Sequence, residues 1–115
     1  MNSIGYIVSD KVRGGVVSHR VQNIIIKHYA FEHSLKYALP ATESNLGDRA
    51  CILSSIMESY RGILFYSLYI VLENETVFNQ VVDFIEEGGE VHFCAENIFY
   101  DNSNVKELQS IYRIN

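Results

Sequence analysis

Apolar and polar positions alternate in blocks along this chain, and the blocks predict its elements. Ser3-Ile4-Gly5-Tyr6-Ile7-Val8 is a short apolar run that reads as a strand and ends on the hydroxyl of Ser9. A charged, glycine-bearing loop follows, Asp10-Lys11-Val12-Arg13-Gly14-Gly15. Ser18 is a natural N-cap for a helix reaching about His33. Val21, Ile24, Ile25, His28 and Tyr29 recur at helical spacing and are expected to face the core. A second, short strand covers Lys36 to Leu39, and Pro40 is expected to stop it. After the loop Ala41-Thr42-Glu43-Ser44-Asn45, a helix gathers Leu46, Ala50, Leu53, Ile56, Met57 and Tyr60 on one face.

Gly62-Ile63-Leu64-Phe65-Tyr66 is continuously apolar, the pattern of a central strand covered on both sides. The polar patch Glu73-Asn74-Glu75-Thr76 precedes a helix with Val77, Phe78, Val81, Val82 and Ile85 inward, and Gly88-Gly89 ends it. Glu90 to Ala95 is a fourth strand and Ile98-Phe99-Tyr100 a short edge strand. Asn104 to Tyr112 is a terminal helix with Val105, Leu108 and Ile111 on one side. This order predicts an α/β fold: a mostly parallel sheet of four to five strands, with helices on both faces in three layers.

Composition adds bounds. The chain has 115 residues and shows no repeat or linker, so residues 1–115 are expected to form one domain. The formal net charge of −5 argues against a nucleic-acid partner, because phosphate neutralisation supplies most of that affinity. Cys51 and Cys94 make no disulfide framework and read as reduced thiols. No apolar run approaches the roughly 18 residues that a membrane span needs. With no leader-like N-terminus, a cytoplasmic location is expected. Eight tyrosines, no tryptophan and only 20% charged residues point to apolar surface covered by a partner subunit, hence a homodimer.

Candidate chemistry gathers at the strand exits, where ligands of open α/β sheets bind. The first strand delivers Ser9, Asp10, Lys11 and Arg13. The second delivers Thr42 and Glu43, the third Tyr66 and Ser67, and the fourth Glu96 and Asn97. His19 and Arg20, followed by Gln22 and Asn23, open the first helix. Lys11, Arg13, His19 and Arg20 thus concentrate positive charge beside a helix N-terminus, which itself attracts anions. A phosphate or a sugar carboxylate suits such a place. Glu43 and Glu96 are candidates for an acid–base pair. Ser9, His19 and Asp10 contain the residue types of a nucleophile–base arrangement, although their spacing matches no nucleophile motif. The four histidines lack metal spacing, and Gly14-Gly15 lacks the phosphate-loop pattern, so neither a metal nor a cofactor is expected. His92, alternating with apolar neighbours, reads as a structural histidine.

Two families share parts of this pattern. Gly5-Tyr6-Ile7-Val8-Ser9, Asp48-Arg49, Ile63-Leu64-Phe65 and the segment Gly88 to Phe93 resemble, in order, the catalytic domain of the serine recombinases (resolvases). That resemblance implies a resolvase-like three-layer fold. It does not extend to the chemistry. Ile7 stands directly before Val8, where that family carries an arginine. Leu68-Tyr69-Ile70-Val71-Leu72-Glu73 replaces its arginine-bearing segment, so the charge that stabilises phosphodiester transfer is missing. A second resemblance covers most of the chain. Gly5-Tyr6-Ile7 with Ser9, Val21-Gln22-Asn23, Tyr37 to Glu43, Gly62 to Leu68 and Gly88 to Phe93 are similar to a small bacterial family. Its members are sporadically distributed carbohydrate-cluster proteins, encoded among surface-polysaccharide genes. That resemblance implies a role in making lipopolysaccharide, capsule or a related glycan, with an anionic sugar or nucleotide sugar as ligand. Ser9, His19 and Glu43 are then the catalytic candidates, and Arg13, Arg20, Gln22, Asn23, Thr42, Tyr66 and Ser67 the substrate-binding ones. The alternative is a non-catalytic dimeric scaffold or regulator with a degenerate resolvase-like fold.

Overall fold

A computed structural model describes residues 2–44 and 50–114. In chain order the elements are β1 (Ser3–Val8), α1 (His19–Glu32), β2 (Ala38–Glu43), α2 (Cys51–Ser59), β3 (Gly62–Phe65), α3 (Tyr69–Leu72), α4 (Glu75–Glu86), β4 (Glu90–Phe93), β5 (Ile98–Tyr100) and α5 (Val105–Ile114). The strands form one sheet ordered β2-β1-β3-β4-β5. Neighbours run parallel except β5, which pairs antiparallel to β4. The chain first moves from β1 out to β2, then crosses back over β1 to β3. That reversal is a topological switch point, and it opens a crevice at the exits of β1 and β3.

Strand alternation sorts the core into two layers. Ile4, Tyr6 and Val8 of β1, Ile63 and Phe65 of β3, and Val91 and Phe93 of β4 belong to the larger cluster with Leu53 and Ile56 of α2 and Val77, Val81 and Ile85 of α4. Ile7, Leu64 and Cys94 face the other way and meet Ile26, Tyr29 and Ala30 of α1. α5 is anchored on α4 through the Phe78–Tyr112 ring stack, at 3.8 Å between centroids. The α/β fold with helices on both faces is therefore as expected, and β1 and β3 are central strands.

Two expectations need correction. β2 does not stop at Pro40 but runs through it to Glu43. The register explains why. Ile4 pairs with Ala38 and Tyr6 with Ala41, so β2 holds one extra residue at Leu39-Pro40. An edge strand with a bulge tolerates a residue that has no N–H to give. Gly5 opposite makes room, since a Cβ there would lie 3.1 Å from Pro40 Cγ.

The second correction concerns α1, which lies where expected but is turned. Its buried residues are Gln22, Ile26, Tyr29 and Ala30, whereas Val21 and Ile24 are exposed. Both stripes have helical spacing, and polar anchors choose between them. One anchor is Gln22, described below. The other is Tyr29, whose hydroxyl lies 2.7 Å from His92 Nδ1. Nε2 of His92 is 3.3 Å from Glu90 Oε1. An ionised carboxylate can only accept, so the ring proton sits on Nε2 and Nδ1 accepts from Tyr29.

Burial holds His92 below its ordinary value of 6.5, against the opposing pull of Glu90. Tyr29, His33, Glu90 and Phe99 are the groups that face it. The folded state thus binds this proton less readily than the unfolded chain does. Its stabilising contribution is complete above about pH 6.5 and declines as pH falls toward the lower folded value. Urea unfolding midpoints should therefore drop as pH falls below about 6.5, and His92→Gln should flatten that part of the drop. An unchanged slope in the variant would remove His92 from the account.

Candidate functional site

The rim beyond β1 is built by three local devices. The first is the N-terminus of α1. Ser18 Oγ accepts from the Val21 amide at 3.1 Å, which fixes where the helix starts. This start places His19 beside the end of β1, and Ser9 Oγ lies 2.8 Å from His19 Nε2. The pair is exposed. With Nε2 unprotonated, the hydroxyl donates into the ring, the arrangement in which an imidazole takes a proton from a serine. Among the described residues, the histidine–carboxylate ion pairs are His28–Glu32 and His92–Glu90, so His19 has none.

The second device is Gln22, fully buried at the first turn of α1. Pairing of β1 with β3 ends at Tyr6–Phe65, two residues short of Val8. Gln22 fills the gap with its side-chain amide. Its Oε1 accepts from Val8 N at 3.1 Å, and its Nε2 donates to Val8 O at 2.7 Å and to Val17 O at 2.9 Å. The amide acts as a short piece of strand. With both of its N–H donors and its oxygen engaged, Gln22 positions the rim from behind.

The third device is Glu43, the last residue of β2 and also buried. Oε1 accepts from the Tyr6 hydroxyl at 2.9 Å and from Leu53 N at 3.1 Å, and Oε2 accepts from Ile52 N at 3.1 Å. Helix α2 has Ala50 at its N-cap and no side-chain cap of its own. Glu43 supplies the missing acceptor to the second and third helical amides, and it brings negative charge to the positive end of the helix. Burial, and then the hydrogen bond to Glu43, push the Tyr6 phenol far above its ordinary value, so Tyr6 stays a donor. Glu96 plays a parallel part beyond β3. It accepts from Ser67 Oγ and from Leu68 N, both at 2.8 Å, and so holds the approach to α3. Glu43 and Glu96 thus serve different helices and make no contact with each other.

The loop after β1 is a tight hairpin. Val12 and Gly15 exchange hydrogen bonds, and Arg13 and Gly14 both have positive φ, 54° and 77°. This is the geometry of a type I′ turn, which glycine accepts easily and arginine only with support. The support comes from the far side of the switch point. Glu73 Oε1 accepts from Arg13 N at 2.9 Å, and the Arg13 guanidinium lies 4.3 Å from the Tyr69 ring centroid. Between this hairpin and α3 lies a cavity of about 340 Å³, lined by Val8, Asp10, Lys11, Val12, Ile70, Glu73 and Asn74.

The basic cluster is thereby divided. Lys11 and Arg13 belong to the α3 side of the crevice, whereas His19 and Arg20 belong to the α1 side, with Ser9 between them. Arg20 and Asn23 are exposed, and so is Thr42, which pairs with Ile7 at the edge of the sheet. Tyr66 is half-buried against the main core, and Ser67 is buried on Glu96. Tyr6, Tyr69 and Glu73 complete the rim without a local signal in the sequence, since Glu73 reaches Arg13 across 60 positions. Asp48-Arg49, the recombinase-like pair, lies outside the described residues. No group of three or more His, Cys, Asp or Glu side chains able to hold a metal ion occurs among the described residues. Nor, among them, is any helix long and apolar enough to cross a membrane. No family model, no curated protein and no solved structure matches this chain.

Proposed function

We propose that the chain binds or acts on an anionic sugar or nucleotide-sugar intermediate of bacterial surface carbohydrate synthesis, at the rim beyond β1. The observation that carries this reading is the exposed Ser9–His19 pair at 2.8 Å, beside the switch-point crevice and flanked by cationic side chains. The resemblance to carbohydrate-cluster proteins supports the substrate class. In this reading Arg20 and Arg13 hold the phosphate or carboxylate from the two sides of the crevice. His19 takes the proton of Ser9, or of a sugar hydroxyl that displaces it, as a general base. Gln22 and Glu43 hold these groups in place, and Ser67 with Glu96 steadies the opposite wall.

Ser9→Ala and His19→Ala should each abolish production of the glycan in cells while leaving the protein folded, because both side chains are exposed. Arg20→Ala should weaken binding of a nucleoside-diphosphate sugar by about 10-fold or more, the value of one hydrogen bond to a charged group. Wild-type glycan from all three variants would refute the reading. The scaffold alternative has its own supporting observation, the apolar outer face of α1. It predicts that Ser9→Ala and His19→Ala, which leave that face intact, have no effect on glycan production.

A further inference from the structure

α1 carries one apolar stripe too many. Ile26, Tyr29 and Ala30 are buried on the sheet. Val21, Ile24, His28 and Phe31 form a second stripe that faces solvent, with Val21 44%, Ile24 56% and Phe31 78% exposed. The His28 side chain is 73% exposed. Their spacing of three, four and three positions is that of a seam between two packed helices. An exposed phenylalanine among aliphatic neighbours on one helix face marks an interaction surface.

We propose that this stripe is the seam of a two-fold homodimer, with α1 packed antiparallel against α1 of a second copy. A two-fold contact must be self-complementary, residue i meeting residue j and residue j meeting residue i. Centred on Ile26, antiparallel pairing sets Val21 against the partner's Phe31 and Ile24 against the partner's His28. It sets Arg20 against the partner's Glu32. Small meets large, and cation meets carboxylate. Parallel pairing would instead set Phe31 against the partner's Phe31 and Arg20 against the partner's Arg20. Among the described residues Arg20 makes no hydrogen bond or ion pair within its own chain, and Glu32 is paired only with His28, at 3.1 Å.

The surface also has relief. A groove of about 750 Å³ runs beside the stripe, between α1 and the turn joining β4 to β5. Its α1 wall includes Ile24, Ile25, His28 and Glu32, so side chains from a second helix have ridges and a groove to enter. A helix pair alone is smaller than a standard interface of about 800 Å² per partner, so the dimer dissociates on dilution.

Arg20 belongs both to this seam and to the proposed anion rim, whereas Phe31 and Glu32 belong to the seam alone. The two proposals can therefore fail separately. Sedimentation of the full chain at a few hundred micromolar should give twice the 13.2 kDa chain mass. Phe31→Glu, Glu32→Arg and Arg20→Glu should each give a monomer with an unchanged circular dichroism spectrum. Combining Arg20→Glu with Glu32→Arg should restore the dimer. A monomeric wild type would overturn the proposal. So would a dimer that survives both Phe31→Glu and Glu32→Arg, which would put the contact elsewhere, as at the β2 edge around Leu39. Failure of the double reversal to restore a dimer lost in the single variants would overturn it too.

Discussion

Gln22→Leu should destabilise the fold by about 3 kcal/mol or more, because it takes this partner from the buried Val8 N and Val8 O and from the half-buried Val17 O. Leucine nearly matches glutamine in size, so little of the loss can come from a cavity. The substitution isolates the hydrogen bonds. For a domain of this length the loss corresponds to a fall of roughly 10 °C in Tm. The loss should also be local in its first effects. The amide of Val8 and the start of α1 should exchange hydrogen faster than the β3–β4 core, since Gln22 is what ties α1 to the end of β1. A stability within about 0.5 kcal/mol of wild type, the range of an ordinary surface change, would show that the amide is not the tie described.

Glu43→Ala is expected to cost a comparable amount, about 3 kcal/mol. It removes the only side-chain acceptor that the described residues place at the N-terminus of α2 and strands the buried Tyr6 hydroxyl. Glu43→Gln keeps one oxygen as an acceptor but points an NH₂ group at donors, so it should recover only part of the loss. Thermal unfolding of the three proteins separates this role from acid–base chemistry. A carboxylate that served only as an acid or base would lose activity in the glutamine variant with no change in Tm. The capping role requires Tm to fall in the order wild type, Gln, Ala.

Much of the architecture can be read from the chain. α4 is the clearest case. Asn74 caps it by accepting from Val77 N, and Val77, Phe78, Val81, Val82 and Ile85 are buried as their spacing requires. β3 is a buried central strand, as its unbroken apolar run requires. Reading fails where a tertiary contact overrides a local rule. Pro40 reads as a stop, yet an edge position and a bulge let β2 pass through it. Tyr69–Leu72 falls in no element that the pattern predicts, yet it forms a turn of helix, with Glu96 accepting from Leu68 N and Ser67 Oγ from Tyr69 N. On α1 two stripes compete, and the one holding a polar Gln22 wins because Val8 offers that amide its partners.

The same logic governs the site. The place of the candidate site beyond β1 is legible from the order of elements, because the switch point is a property of topology. The roles of individual side chains do not follow from position. Ser9 and His19 stand ten positions apart and still meet. Glu43 and Gln22 have the residue types of ligand-binding groups, but their polar atoms are turned to the protein itself, to backbone groups and, for Glu43, to the Tyr6 hydroxyl as well.

An amide NMR titration of the full chain with a nucleoside-diphosphate sugar tests whether an anionic sugar ligand sits on the Ser9–His19 rim. Saturable shifts are expected at Ser9, Arg13, His19 and Arg20, weakened in Ser9→Ala and Arg20→Ala. Shifts absent from these residues at millimolar ligand, or confined to the groove of Ile24, His28 and Asn97 beside α1, would contradict it.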